Sequence, residues 1–266
     1  MDKGISVYFG YLSNPVERFQ KIKDAGFTTI ITSADQKWDW QNGELKQQLK
    51  LVKQFGLKLS SLHSSYNSKE LKYFFEKGHI GDKQEKTLIK EVKMCKKYGF
   101  TSLVVHLKGT PSLLGLTRLR RILKVCNKTK IPLAIENLDY PELFDYVFKH
   151  INDPYLCFCY DAGHNHAYDP ERDYLSEYGD KLVALHLHDN DGTEDQHTLN
   201  QYGTTDWKKI AKSLAKCPSV PLDYELLMHK HRGKITEELA LSMCYKNACD
   251  LERLINKEIN KSKKLK

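Results

Sequence analysis

Residues 102–136 read SLVVHLKGTPSLLGLTRLRRILKVCNKTKIPLAIE. A short β-rich run, SLVVH (102–106), gives way to LTRLRRILKVCNK (116–128), whose apolar residues recur at helical spacing, and then to a second short run, PLAIE (132–136). Brief apolar runs bounded by turn residues read as strands, and the 3.6-residue repeat between them reads as an amphipathic helix. Two strands joined through a helix lie parallel, because the helix returns the chain to the starting edge. The alternation continues in both directions. ISVYF (5–9), TTIIT (28–32) and LKLSSL (57–62) precede this unit; LCFCY (156–160), LVALHLH (182–188) and PLDYE (221–225) follow it, which makes eight strands. PVERFQKIKDAG (15–26), ELKQQLKLVKQFG (44–56), EKTLIKEVKMCKKYG (85–99) and TDWKKIAKSLAK (205–216) supply further helices. Three of these stretches end in glycine, at Gly26, Gly56 and Gly99, as helix C-termini often do.

Eight strand–helix units in 266 residues predict a single-domain α/β fold, a closed (β/α)8 TIM barrel over residues 1–254, with a doubly wound open sheet as the runner-up. Residues 255–266, INKEINKSKKLK, hold five lysines and one glutamate and are expected to form a frayed basic tail. That tail carries half of the formal net charge of +8, which weakens any argument from charge toward nucleic acid. No window is apolar enough for a membrane span, and MDKGISVYFG lacks the pattern of a secretory signal, so a cytoplasmic location is expected. The seven cysteines form no CxxC pair and are expected to be free thiols.

Barrels of this kind place reactive groups at the C-terminal ends of their strands. Here strand three ends at His63, strand four at His106, strand five at Glu136, and strand six at Asp161 with His164 close behind. Strand seven is expected to end at His188, followed by Asp195 and His197, and strand eight at Glu225. Six consecutive strands thus bring a His, Asp or Glu to one rim. Imidazole and carboxylate together suit zinc, manganese or iron, and magnesium to a lesser degree. One divalent ion takes about four to six ligands, so nine candidates leave room for one to three ions. Alternation along a strand puts Cys157 and Cys159 below Asp161, and His186 below His188. Core packing is the expected role of the cysteines; for His186 a partner behind the ligands and a polar core residue are both open.

The ordered set LHSSY, VVHLKG, AIENL, CYDAGH, HLHDND with its DQH, and LDYEL resembles the xylose-isomerase-like barrel superfamily over essentially the whole chain. That superfamily includes sugar isomerases and epimerases and the endonuclease IV type of abasic-site endonucleases. Likeness to the epimerases implies one divalent metal on Glu136, Asp161, His188 and Glu225, with the two glutamates moving the substrate proton. It also implies Glu142 and His164 at the substrate; the arginine those enzymes carry six residues beyond the ligand histidine is replaced by Glu194. Likeness to endonuclease IV implies a trinuclear zinc site on His63, His106, Glu136, Asp161, His164, His188, Asp195, His197 and Glu225, cleaving a phosphodiester. Tyr66 matches a tyrosine that enters DNA in those enzymes, and QKW (36–38) loosely matches a DNA-contacting loop. However, the loop from His188 to Asp195 is shorter than theirs, and Asn67 stands where they carry an apolar wedge.

The expected activity is therefore a metal-dependent sugar or sugar-phosphate isomerase or epimerase, in which a homodimer is an open option. The alternative is a multinuclear phosphoesterase acting on abasic DNA or a small phosphate ester, and the third reading is a barrel without catalysis. Trp38 and Trp40 are candidates for an aromatic wall at the mouth, and Lys108 for a phosphate contact. His229 and His231 read as a solvated basic loop, and HAYDP (166–170) as a loop leading into helix six.

Overall fold

The computed structural model describes residues 1–34 and 44–264. Trp38, Trp40 and the QKW stretch lie outside the described residues. The eight strands are β1 (Lys3–Ser6), β2 (Thr29–Ser33), β3 (Lys58–His63), β4 (Leu103–Val105), β5 (Leu133–Glu136), β6 (Leu156–Asp161), β7 (Leu182–His186) and β8 (Leu222–Tyr224). They are all parallel, in the order β7-β6-β5-β4-β3-β2-β1-β8. The two ends of this order meet through a single parallel bridge, Leu187 to Tyr224, in which Leu187 N–H donates to Asp223 O and Glu225 N–H to Leu187 O. The sheet is thus a nearly closed barrel, and the protein is a single TIM barrel.

Helices α1 (Pro15–Asp24), α2 (Leu45–Gln54), α3 (His79–Tyr98), α4 (Leu113–Thr129) and α5 (Pro141–His150) carry the chain outside the barrel between strands. Two short helices, α6 (Ala162–Tyr168) and α7 (Tyr174–Tyr178), follow β6, and α8 (Trp207–Leu214) and α9 (Glu237–Lys264) complete the ring. Their ends carry the expected chemistry. Asn14, Ser112 and Asp206 cap N-termini through their side chains, and Gly99 closes α3 in the left-handed region at φ 87°. The outward faces of the strands and the inward faces of the helices form one large core that includes Phe19, Phe27, Leu119, Ile122 and Phe158. The bore is filled by smaller residues, Val104, Ala134, Cys159 and Ala184.

Three expectations change. The last helix runs to Lys264 with Ile255 buried, so residues 255–264 extend a helix where composition suggested fraying; apolar contacts at Leu251 and Ile255 hold it. HAYDP is not wholly a loop, because His166 to Tyr168 close α6, which starts directly at the end of β6. Strand β7 ends at His186, two residues before the expected His188. No helix among the described residues is long and apolar enough to cross a membrane.

Candidate metal centre

Strand register sets the height of each donor. Glu136 pairs with Cys159 across β5 and β6, and Asp161 pairs with His186 across β6 and β7. Asp161 is fixed from two sides. Its backbone N–H donates to Asn137 Oδ1 at 2.8 Å, its carbonyl accepts from Asn137 Nδ2 at 2.9 Å, and its carboxylate caps α6 by accepting from His164 N–H at 2.6 Å. The cap also aims His164 back over the bore. Gly163 lets His188 pass close behind, since a Cβ there would lie 1.8 Å from the imidazole.

Glu136 stands at the centre. One carboxylate oxygen lies 3.1 Å from His164 Nδ1, and the other lies 3.3 Å from His106 Nε2 and 3.0 Å from His186 Nδ1. His186 Nδ1 is also 3.0 Å from a Glu225 oxygen, so the two glutamates converge on one nitrogen. His63 and His106 face each other at 3.1 Å between Nε2 atoms. Asp195 meets His164 Nε2 at 3.2 Å and His197 Nε2 at 2.9 Å, and His188 Nε2 lies 3.1 Å from Asp161 and 3.6 Å from Asp195.

Among the described residues five sets of donor atoms lie close enough to share an ion: His63, His106 and Glu136; Asp161, His186 and Glu225; His164, Asp195 and His197; and two that overlap these, Glu136 with Asp161 and His164, and Glu136 with Cys159 and His186. Both oxygens of Glu136, Nδ1 of His164 and His186, and Oδ1 of Asp195 are buried without a well-formed hydrogen bond, although ionic partners stand nearby. These atoms also belong to the sets whose donor atoms lie within 4.8 Å of one another. Buried polar atoms left this way are costly, and a divalent cation would satisfy them. The donor set therefore fits a metal of the nitrogen- and oxygen-binding class.

The electrostatics are those of tightly paired acids and imidazoles: against burial, the neighbouring carboxylates hold His164 well above the usual imidazole range, and Cys159, Glu225 and Glu136 do the same for His186. Burial pushes the Glu136 carboxyl up, but His186 and His106 more than offset this and hold it well below the usual carboxylate range. Glu225 is likewise lowered, against burial, by His186 and His197. Burial and the neighbouring His106 push the His63 imidazole down to about 4, which keeps it neutral as a ligand must be. His197 is driven the other way, to about 9, because Asp195 outweighs the cost of burial.

All nine residues expected at the rim thus occupy one cluster, with one revision. His186, which alternation placed a layer down, stands level with Asp161 and joins Asp161 and Glu225 in a donor set; His188 joins none and stacks on His197 with ring centroids 3.9 Å apart. The reason is the early end of β7. Tyr66 borders the cluster, its ring 4.8 Å from that of His106, and burial followed by Glu225 and Glu136 raises its hydroxyl to about 12. Two further residues expected at the substrate belong to none of the donor sets. Glu142 is exposed in the first turn of α5, and Lys108 is paired with Asp139 at 2.8 Å. His231 stacks on Tyr202, and His229 lies near Tyr8, both outside the cluster.

Comparison with known proteins agrees with this architecture. The uncharacterized protein y4fM of Sinorhizobium fredii (strain NBRC 101917 / NGR234) is 24% identical over 249 residues, covering 79% of this chain and 80% of its own. A D-tagatose 3-epimerase-like protein superposes with a TM-score of 0.78 at 14% identity, over 97% of this chain and 100% of that one. The IOLI protein, whose crystal structure has a binding zinc atom, gives 0.76 at 16% identity, over 97% and 99%. At such identities the two structures speak for the fold alone. A family model for the xylose isomerase-like TIM barrel matches residues 19–243, most of the chain, and the protein belongs to that family.

Proposed function

We propose that the protein is a divalent-metal-dependent sugar or sugar-phosphate isomerase or epimerase. The observation that carries the reading is the convergence of Glu136 and Glu225 on His186 Nδ1, each at 3.0 Å, with Asp161 at the same level. Glu136, Asp161, His186 and Glu225 would hold the ion. When bound, it would polarise a carbonyl or hydroxyl oxygen of the substrate and lower the cost of negative charge at the adjoining carbon.

The side chains supply the rest. Glu136 and Glu225 come from β5 and from the end of β8, well apart around the barrel, so a carbon held between them meets one carboxylate on each face. One accepts the proton and the other returns it, which inverts or shifts the centre. His164, held by Asp161 and Asp195, stands beside Glu136 and is placed to orient a hydroxyl. The epimerase-like and zinc-containing relatives support the reading through their shared architecture. A metal-loaded preparation is expected to exchange a substrate C–H hydrogen with deuterated water for at least one member of a panel of ketoses and ketose phosphates. Absence of exchange across that panel would overturn the proposal.

A second reading is favoured by one observation: three of the five donor sets share no residue with one another. Three close-set ions would suit in-line cleavage of a phosphodiester, on abasic DNA or on a small phosphate ester, because paired ions stabilise both the attacking and the leaving oxygen. Metal counting separates the readings. One tightly held ion per chain supports the isomerase, and three support the phosphoesterase.

A further inference from the structure

We propose that Cys159 gives this centre a deeper cation position, formed by Glu136, Cys159 and His186, that selects thiophilic divalent ions such as zinc, cobalt and cadmium. The inference rests on the reading of Glu136 and His186 as metal-binding groups, and it is independent of the sugar chemistry.

Register puts Cys159 directly beside Glu136 on the neighbouring strand, pointing into the bore among Val104, Ala134 and Ala184. These neighbours are small and apolar, so the polar atoms nearest the sulfur are those of the donors. One ligand atom from each of Glu136, Cys159 and His186 lies within 4.8 Å of the others, and all three residues are buried. Ligands of a single zinc ion, with bonds of about 2.0 to 2.3 Å, fall within such a span of one another. Both oxygens of Glu136 and Nδ1 of His186 are buried without a well-formed hydrogen bond, in residues only 2% and 1% exposed, and the nitrogen faces one of those oxygens at 3.0 Å. The Cys159 thiol is itself in contact with His186, whereas Cys157 lies away from these donors. It sits two residues earlier on the same strand, and its sulfur is engaged by the Pro154 carbonyl at 3.6 Å.

Glu136 and His186 serve both positions, so one ion occupies either the rim, with Asp161 and Glu225, or the deeper place, with Cys159. Magnesium and manganese prefer oxygen donors and belong at the rim; zinc and cobalt gain from the sulfur. Binding converts the thiol to a metal thiolate, and its proton passes to solvent.

The test is a titration of chelator-stripped, full-length protein with cobalt(II). A near-ultraviolet charge-transfer band diagnostic of a thiolate ligand is expected, absent in Cys159→Ser but retained in Cys157→Ser and in a Cys217→Ser, Cys249→Ser double variant. Cys159→Ser is also expected to weaken zinc by about tenfold or more while leaving manganese affinity within about twofold. No band in the native protein, a band that survives Cys159→Ser, or equal weakening of zinc and manganese would overturn the proposal. If Cys159→Ser does not fold, cadmium-113 resonance on the native protein decides: a thiolate-range shift supports the site, and a purely oxygen- and nitrogen-ligated shift refutes it. None of these readouts uses a substrate, so loss of the cobalt band leaves the sugar reading standing, and loss of hydrogen exchange leaves this one.

Discussion

Glu136 is in contact with three imidazoles, those of His106, His164 and His186, and its burial makes every one of those contacts consequential. Replacing it by glutamine keeps the volume and removes the charge. Glu136→Gln and Glu225→Gln are each expected to lower turnover by about 10²- to 10⁴-fold, the range in which general acid–base groups act, while far-ultraviolet circular dichroism stays unchanged. His186→Ala is expected to weaken divalent metal by at least about tenfold more than His188→Ala, as judged by competition with a chromogenic chelator; equal effects would contradict the placement of His186 among the ligands. The strand-end donors were legible in the sequence because parallel barrels present their reactive groups at that rim. The place of His186 was not, since β7 ends two residues earlier than its apolar run suggests and Asp161 pairs with His186 across the sheet. The ion pair made by Lys108 was not legible for a different reason. Its partner Asp139 lies 31 residues further on, and nothing local announces the pair.

The element that holds Asp195 and His197 in place is the segment between β7 and α8. Asp189, wholly buried, accepts from Trp207 Nε1 at 2.6 Å, from Thr205 N–H at 3.0 Å and from Asn190 N–H at 2.8 Å, and its backbone pairs with Thr198. Gly203 is required beside it, because a Cβ there would stand 2.0 Å from Asp189 Oδ1. HLHDND was visible in the sequence as a motif of likeness; the physical content of its Asp189 is this clamp. Asp189→Ala is expected to cost about 2 to 4 kcal/mol in urea unfolding, because three donors lose a buried acceptor. A second element-scale contact joins α7 to α8: Asp173 accepts from Ser176 N–H and from the hydroxyls of Ser176 and Ser213. Burial opposes the Asp173 charge, but those hydrogen bonds win and lower its pKa. The folded value lies below the unfolded one, so the contribution is complete above the unfolded carboxylate range and fades as pH falls through the folded value. Asp173→Ala should therefore destabilise at neutral pH by about 1 kcal/mol, with a difference that shrinks on acidification in paired thermal melts.

At the scale of the whole molecule, one bridge between β7 and β8 closes the barrel, and the donor cluster spans that seam through His186 and Glu225. An ion bound there ties the first and last strands of the sheet order together and binds only the folded chain. Zinc or manganese at about a hundredfold over its dissociation constant is thus expected to add about 2.7 kcal/mol, seen as a rise in melting temperature that a chelator reverses; melting unchanged by metal would contradict the site. The barrel itself was legible because each βα unit announces itself locally and eight of them in one chain leave few other closures. The extent of α9 was not, since the buried Ile255 anchors a helix whose later residues look like a charged tail. Proton transfer between a substrate carbon and the carboxylates of Glu136 and Glu225 is the central proposal. Its most direct test is nuclear magnetic resonance of ketoses and ketose phosphates incubated with metal-loaded protein in deuterated water: deuterium entering one substrate C–H position, and abolished by either glutamine variant, is the predicted result, and no incorporation with any of them would contradict it.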